Sequence, residues 1–216
     1  MRRPYVILNS AMSVDGKIAT MTGDSALSCE EDLRRLHCLR ASVDAVMVGA
    51  GTIISDNPSL TVRMVRGRNP IRVVVDGRCR IPLKSRVLNR SARTVVAVSG
   101  KAPKKKVNAL RKMGVDVIVM GKREVDLSRL LSELHSRGVR KMLLEGGSML
   151  NWEMLSRGLV DELRIAVAPV VLGGKDAKPL VGGKGFERVS EGLRLEFLGS
   201  SRVGENLLLR YRVLGR

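Results

Sequence analysis

The sequence is poor in the residues that usually build a metal site or a stacking surface. It has three cysteines, one tryptophan, two tyrosines, two phenylalanines and two histidines, and no glutamine. Cys29, Cys38 and Cys79 are odd in number and form no C-x-x-C pair, which argues against a disulfide scaffold and against structural zinc. His37 and His135 both fall in helical patterns, where packing or surface exposure is the simpler reading than catalysis, so no metal ion is expected. With aromatics at 2% the core must be aliphatic, and platforms for stacked bases are scarce. No apolar run nears the ~18 residues of a membrane-spanning helix. The opening Met1-Arg2-Arg3-Pro4-Tyr5-Val6-Ile7-Leu8 breaks at Asn9-Ser10, too early for a signal-peptide core, so a cytoplasmic protein without a membrane partner is expected. Nucleotide fingerprints are missing too. Gly49-x-Gly51 meets Ile54 where G-x-G-x-x-G needs its third glycine, and no Gly-Lys pair sits in a P-loop. Neither G-x-S-x-G nor H-E-x-x-H occurs.

What is abundant is positive charge. Lys and Arg number 39 against 21 Asp and Glu, a net +18 over 216 residues. Such an excess favours an anionic partner, which nucleic acid, a membrane surface or a phosphorylated small molecule would each satisfy. The basic residues are spread along the whole chain, which with the few aromatics disfavours a nucleic-acid-binding domain. Hydrophobic content of 44% and charged content of 28% are those of a globular chain. There is no internal repeat and no long linker, so residues 1–216 read as one domain.

Strand and helix patterns alternate. β-branched or aliphatic runs at Pro4–Asn9, Asp44–Gly49, Ile71–Asp76, Arg93–Val98, Val115–Met120, Lys141–Glu145 and Leu159–Ala168 read as strands. Helical spacing covers roughly Cys29–Ala41, Thr52–Ser55, Lys101–Met113, Leu127–Arg137 and Met149–Ser156. Ser28-x-x-Glu31 has the form of a capping box, and Asp126 reads as an N-cap. Ser10–Ala26 reads as a loop, and the Gly- and Lys-rich stretch Pro169–Gly185 as a mobile one. Leu193–Leu198 and Asn206–Val213 have no helix between them and read as an antiparallel pair. Continuously apolar strands separated by helices imply an α/β fold with a mostly parallel sheet covered on both faces.

Ligands of open α/β sheets bind at the carboxyl ends of the strands. Here those ends read Asn9-Ser10, Gly49-Ala50-Gly51-Thr52, Asp76-Gly77-Arg78 and Glu145-Gly146-Gly147-Ser148. Glycines let a backbone approach a phosphate, and a helix start supplies N–H donors, so a nucleotide fits; tight turns without a ligand fit equally on the glycines alone. Glu145 reads either as a salt-bridged structural acid or as an acceptor for a ligand. Asp15-Gly16-Lys17 reads as a turn, and Arg40 and Arg63 as solvated charge, unless a ligand claims them.

Several stretches taken together resemble a known family. Ser13-Val14-Asp15-Gly16-Lys17-Ile18-Ala19 is similar to S-L-D-G-K-I-A. Gly51-Thr52 with Asp56-Asn57-Pro58-Ser59-Leu60-Thr61-Val62-Arg63 is similar to G-T-x-x-x-D-D-P-x-L-T-V-R. Asn69-Pro70-Ile71-Arg72-Val73-Val74-Val75-Asp76, Glu145-Gly146-Gly147, Gly158-Leu159-Val160-Asp161-Glu162 and Ala168-Pro169 followed by Gly173-Gly174 complete the order. The pattern resembles the riboflavin-biosynthesis reductases, from about Pro4 to the C-terminus.

The resemblance implies a dihydrofolate-reductase-like, three-layer α/β/α fold with a central, mostly parallel mixed sheet and an antiparallel C-terminal edge, usually as a homodimer. It implies transfer of hydride from NADPH to the ribose C1′ of 2,5-diamino-6-ribosylamino-4(3H)-pyrimidinone 5′-phosphate, giving a ribitylamino product. It places Thr52, Asp56, Asp76, Gly77, Arg78, Gly146, Gly147 and Ser148 at the cofactor, and Ser25, Arg40, Leu60, Arg63 and Glu145 at the substrate. Lys17 and Glu145 are the implied catalytic residues, Lys17 as proton donor or electrostatic stabiliser. The deaminase signature of the bifunctional relatives is absent and the chain opens on the first reductase strand, which suggests a stand-alone reductase. Three positions depart from the pattern: Asn57 replaces an Asp, Gly77 a Ser, and Leu27 the approximate place of a Trp. The loss of the hydroxyl at Gly77 leaves NADH as an alternative cofactor. A dihydrofolate or pteridine reductase on the same fold is the alternative activity.

Overall fold

β-branched side chains fit a pleated, half-buried surface, and they dominate the strands Ile71–Val75 and Thr94–Val98. The computed structural model describes residues 2–215. In chain order its elements are β1 (Tyr5–Ser13), β2 (Lys17–Ala19), α1 (Glu30–Ala41), β3 (Ala45–Gly49), α2 (Ala50–Asp56), β4 (Ile71–Val75), β5 (Thr94–Val98), α3 (Lys104–Lys112) and β6 (Asp116–Val119). There follow α4 (Leu127–Ser136), β7 (Lys141–Leu144), α5 (Ser148–Ser156), β8 (Glu162–Ala168), β9 (Lys178–Pro179), β10 (Leu195–Val203) and β11 (Asn206–Val213). The chain forms two compact units, one built on His37–Leu143 with the residues up to Tyr5, the other from Val6–Leu36 and the residues from Leu144 onward.

In the first unit the strand order is β7-β3-β4-β5-β6, and β3 to β6 pair in parallel. Consecutive residues Ala45, Val46, Met47 and Val48 are all fully buried, as are Val73 and Val74. Successive side chains of a strand point to opposite faces, so the sheet is covered on both. Helix α4 contributes Leu127, Leu130, Leu131 and Leu134 to that cover, one side at helical spacing. Its first turn is capped as the sequence predicts, the Asp126 carboxylate accepting from Arg129 N–H at 3.0 Å. At the head of β4, Arg72 is fully buried and donates to Thr94, to the Asn89 side chain and to the carbonyls of Asn89 and Ala92. No carboxylate is among these acceptors, and burial lowers the pKa of the guanidinium.

In the second unit the order is β10-β11-β8-β1. β1 and β8 are parallel, while β11 runs antiparallel to both β8 and β10, which is the antiparallel edge expected. Two segments differ from the sequence reading. β1 runs on to Ser13 because Asn9–Ser13 pair with Arg164–Ala168, so polar residues read as a loop are held by a neighbouring backbone. The stretch read as a mobile loop after Ala168 is fastened instead, Lys178 and Pro179 pairing with Ala19 and Lys17. The capping box also differs. The Ser28 hydroxyl donates to the Asp32 carboxylate at 2.6 Å, and that carboxylate in turn receives Arg35 at 2.8 Å.

Candidate functional site

The parallel register of β3 and β4 brings their carboxyl ends to one edge of the first unit. Gly49 caps α2 without any side-chain bond to the helix, so the N–H groups of its first turn are left to other partners. Thr52 stands half-buried in that turn and Asp56 exposed at its end. The next residue, Asn57, takes a left-handed conformation and accepts from Arg86 N–H at 2.8 Å.

The end of β4 is a tight turn closed by Asp76. Its carboxylate is 1% exposed and accepts from Ile81 N–H at 2.8 Å, while its other oxygen has no hydrogen bond and lies 3.9 Å from Arg80. Asp76 therefore shapes the turn that presents half-buried Gly77 and exposed Arg78. The Gly77 carbonyl accepts from both the backbone and the hydroxyl of Ser99 at the end of β5. Burial, and then the Asp76 carboxylate, raise the pKa of the Cys79 thiol beneath this turn.

Leu60 to Arg63 form a loop pinned from several sides. Leu60 is 1% exposed and adopts φ 54°, uncommon for a branched residue. His37 Nδ1 accepts from Arg63 N–H at 2.9 Å, and Asn69 Oδ1 accepts from Val62 N–H at 2.8 Å. Buried Arg40 donates to the Thr61 carbonyl at 3.3 Å. The Arg63 guanidinium is exposed and touches the Thr61 hydroxyl.

In the second unit, Ser13 C=O accepts from Gly16 N–H at 2.9 Å, and Gly16 takes φ 76°, a turn conformation suited to glycine. Lys17 leaves this turn half-buried. Asp15 accepts from the Ser13 hydroxyl at 2.6 Å and from the Leu172 and Gly173 amides at 3.0 and 2.7 Å. Those donors hold its carboxyl down at about 2, the Ser13 bond contributing most. Ser25 lies exposed in the segment that leads to α1.

Glu145 is half-buried directly after β7, followed by a cis Gly146-Gly147 peptide. Gly147 is the N-cap of α5 and supplies no side-chain bond. The Ser148 hydroxyl is buried and has no hydrogen-bond partner. An unspent hydroxyl beside uncapped helix N–H groups, reached over two glycines, is a donor set that fits a phosphate of a dinucleotide. In the first unit, Arg78 is an exposed cation of a kind suited to a phosphate. Among the described residues no group of three or more His, Cys, Asp or Glu is placed to hold a metal ion. Among the same residues no helix is long and apolar enough to cross a membrane.

Three contributors escaped the sequence reading. His37, read as a packing residue, holds the Arg63 backbone; Arg72, seen only as part of a motif, is a buried hub; Asn151, 1% exposed on α5, touches the Gly146 turn. The only available signal was position. His37 lies four residues after Leu33 in α1, and Asn151 four after Gly147, on the side that meets the turn.

Comparison with known proteins bears on these groups. A family profile described as "RibD C-terminal domain" matches residues 4–209. The 2,5-diamino-6-ribosylamino-4(3H)-pyrimidinone 5′-phosphate reductase of Methanothermobacter thermautotrophicus is 52% identical, over 99% of this chain and 100% of its own length. The reductase of the same name from Archaeoglobus fulgidus is 45% identical, over 88% of this chain and 95% of that protein. Among solved structures, Acinetobacter baumannii RibD superposes with a TM-score of 0.85 at 28% identity, over 98% of this chain and 58% of that longer one. The fold is thus the reductase-type, dihydrofolate-reductase-like α/β fold that the sequence resemblance implies.

Proposed function

Because the chain belongs to the RibD C-terminal domain family, we propose that it is a reductase of riboflavin biosynthesis that reduces the ribosyl group of 2,5-diamino-6-ribosylamino-4(3H)-pyrimidinone 5′-phosphate to the ribitylamino product. The observation that carries this reading is the 52% identity to the Methanothermobacter reductase over the full length of that protein. Residues 1–216 act as one reductase domain. NADPH, when bound, supplies the hydride that reduces C1′.

The chain's own residues bind, orient and move a proton. Gly146, Gly147 and Ser148 offer N–H and hydroxyl donors to the cofactor phosphates, and Arg78, presented by Asp76 and Gly77, adds a cation for the adenosine end. Thr52 and Asp56 of α2 are assigned to the cofactor as well. Arg63 grips the 5′-phosphate of the substrate, and Arg40 fixes the loop that carries it. Leu60 supplies an apolar wall, Ser25 a hydroxyl, and Glu145 an acceptor for the substrate. As the C1′–O4′ bond opens, the ring oxygen takes a proton from the Lys17 ammonium, which places charge where the reaction needs it.

The working form is a cytoplasmic homodimer. The support is the outer strand pair, where Leu195, Phe197 and Leu207 are 41%, 58% and 46% exposed, an apolar surface suited to a second copy. Sedimentation at micromolar concentration should give twice the mass of the 23.6 kDa chain, and a monomer there would remove the dimer.

The test of function is loss of NADPH absorbance with the diaminopyrimidine ribosyl phosphate and, separately, with its deaminated analogue. Turnover of the first alone supports a reductase that acts before deamination. Oxidation with neither, by folded protein that binds NADPH, would overturn the substrate assignment. A parallel run with NADH decides the cofactor.

A further inference from the structure

The two turns assigned catalytic roles leave different strands. Lys17 follows β1, and Glu145 follows β7. One stretch of chain, residues 170–182, is bonded to both. At the Lys17 turn, Val14 N–H donates to the Val170 carbonyl at 2.8 Å, and Leu172 and Gly173 donate to Asp15. Lys17 itself pairs with Pro179, and Leu180 N–H donates to the Gly16 carbonyl at 2.9 Å. At the Glu145 turn, Gly182 N–H donates to the Ser148 carbonyl at 3.1 Å. The remaining link is a side chain. Asn151 Nδ2 donates to the Leu180 carbonyl at 2.8 Å.

Leu180 is thus the meeting point. Its N–H holds the residue before Lys17, and its C=O is held by Asn151. The rest of Asn151 is spent on the other turn. Its backbone N–H donates to the Gly147 carbonyl at 2.9 Å, and its amide sits 3.3 Å from where a Cβ on Gly146 would lie. Asn151 is 1% exposed, yet its Oδ1 has no hydrogen-bond partner. A side chain kept only for stability gains little from a buried amide with one acceptor unsatisfied. Its fixed donor and its contact with the Gly146 turn give it another use.

We propose that Asn151 is a positioning residue that ties the Gly146-Gly147 turn, through the Leu180 peptide, to the turn that carries Lys17. Its catalytic consequence rests on the reading of Lys17 as proton donor given above. Its structural part does not.

The experiment has two arms on the full chain. In the first, amide hydrogen exchange is followed without ligands in wild type and in Asn151→Leu, which matches the volume but cannot donate. Exchange should quicken at least tenfold at Leu180 and also across residues 16–19. A change at Leu180 alone, or in neither segment, would overturn the tie. Should Asn151→Leu not fold, Asn151→Ser serves, since its short hydroxyl falls away from the Leu180 carbonyl.

The second arm measures turnover in a double-mutant cycle with Lys17→Met. Asn151→Leu should lower kcat about 30-fold with KM for the substrate changed less than threefold. In the Lys17→Met background the same substitution should cost less than threefold. Multiplicative effects would mean that Asn151 merely supports the fold, and would overturn the positioning role. If wild type shows no reduction, the functional reading fails while the exchange result still decides the tie.

Discussion

The Lys17 turn and the Leu60–Arg63 loop are held in opposite ways. The first joins main chain to main chain, Val14 to Val170, Gly16 to Leu180 and Lys17 opposite Pro179, with one side chain, Asp15, reaching across to Leu172 and Gly173. The second is fastened by side chains reaching in from elsewhere, His37 to Arg63 N–H, Asn69 to Val62 N–H and Arg40 to the Thr61 carbonyl. Backbone fastening at Lys17 leaves its own side chain free for chemistry, which suits a proton donor. Side-chain fastening makes the loop's geometry depend on a few replaceable residues, which suits a binding loop whose specificity can be tuned one substitution at a time.

That contrast is breakable. The largest effect is expected at the chemical groups themselves: Lys17→Met should lower kcat by roughly 10²–10⁴-fold, the usual worth of a positioned acid or base, with little change in the affinity for NADPH. A change confined to KM would remove Lys17 from the proton step. Glu145→Gln should fold and lose most turnover, and near-normal kcat/KM would take Glu145 out of the site. His37→Leu strands the Arg63 N–H and should cost about 1–3 kcal/mol, read as a roughly tenfold or greater rise in substrate KM with kcat nearly kept. An equal fall in kcat would show that the loop serves chemistry rather than binding. Asn69→Ala removes two bonds from a more exposed residue and should cost about 1 kcal/mol, read as a smaller rise in the same KM.

The smallest effect changes with pH only in acid. Asp15 titrates at about 2 in the folded protein against an ordinary 3.8, so its contribution to stability is complete above 3.8 and is lost as the pH falls through about 2. Asp15→Asn should be less stable than wild type near neutrality, with the gap closing over that acid window in denaturant melts. A gap that does not vary with pH would mean that the carboxylate's charge is not what fastens Leu172 and Gly173.

Much of this arrangement was legible in the residues. The runs Ile71–Asp76 and Arg93–Val98 announced β4 and β5, and Asp126 announced the start of α4, because each signal is local. The motifs placed Arg63 in a loop and Glu145 at a strand end, where they are found, while Lys17, read within a loop, opens β2, and Ser148 opens α5. What could not be read depends on distant partners. Ser10–Ser13 are strand only because β8 lies beside them, and the Asp15 bonds to Leu172 and Gly173 span 157 and 158 positions. Arg72 stood in the sequence only as part of a motif, and its role as a buried hub depends on Asn89 and Thr94 closing over it. The resemblance places Asp76 at the cofactor, and the structure adds that its carboxylate closes the turn at Ile81. His37 and Asn151 carried no chemical motif, and their use appears only where they meet a backbone from another segment.

The parallel pairing of β1 with β8, Ile7 opposite Glu162, has a consequence for how the molecule is made. The first strand leaves the ribosome long before its neighbour does, and closing so long a span is entropically costly. Most of β3 to β6 needs only short-range closures and can settle while synthesis continues. The Lys17 turn must therefore wait for residues beyond 170, so the group assigned the proton is among the last to be set. Nascent chains arrested before Asp161 should exchange the Val6 amide, whose partner is the Asp161 carboxylate, faster than the finished protein does, and equal protection would mean that this amide finds a substitute partner during translation.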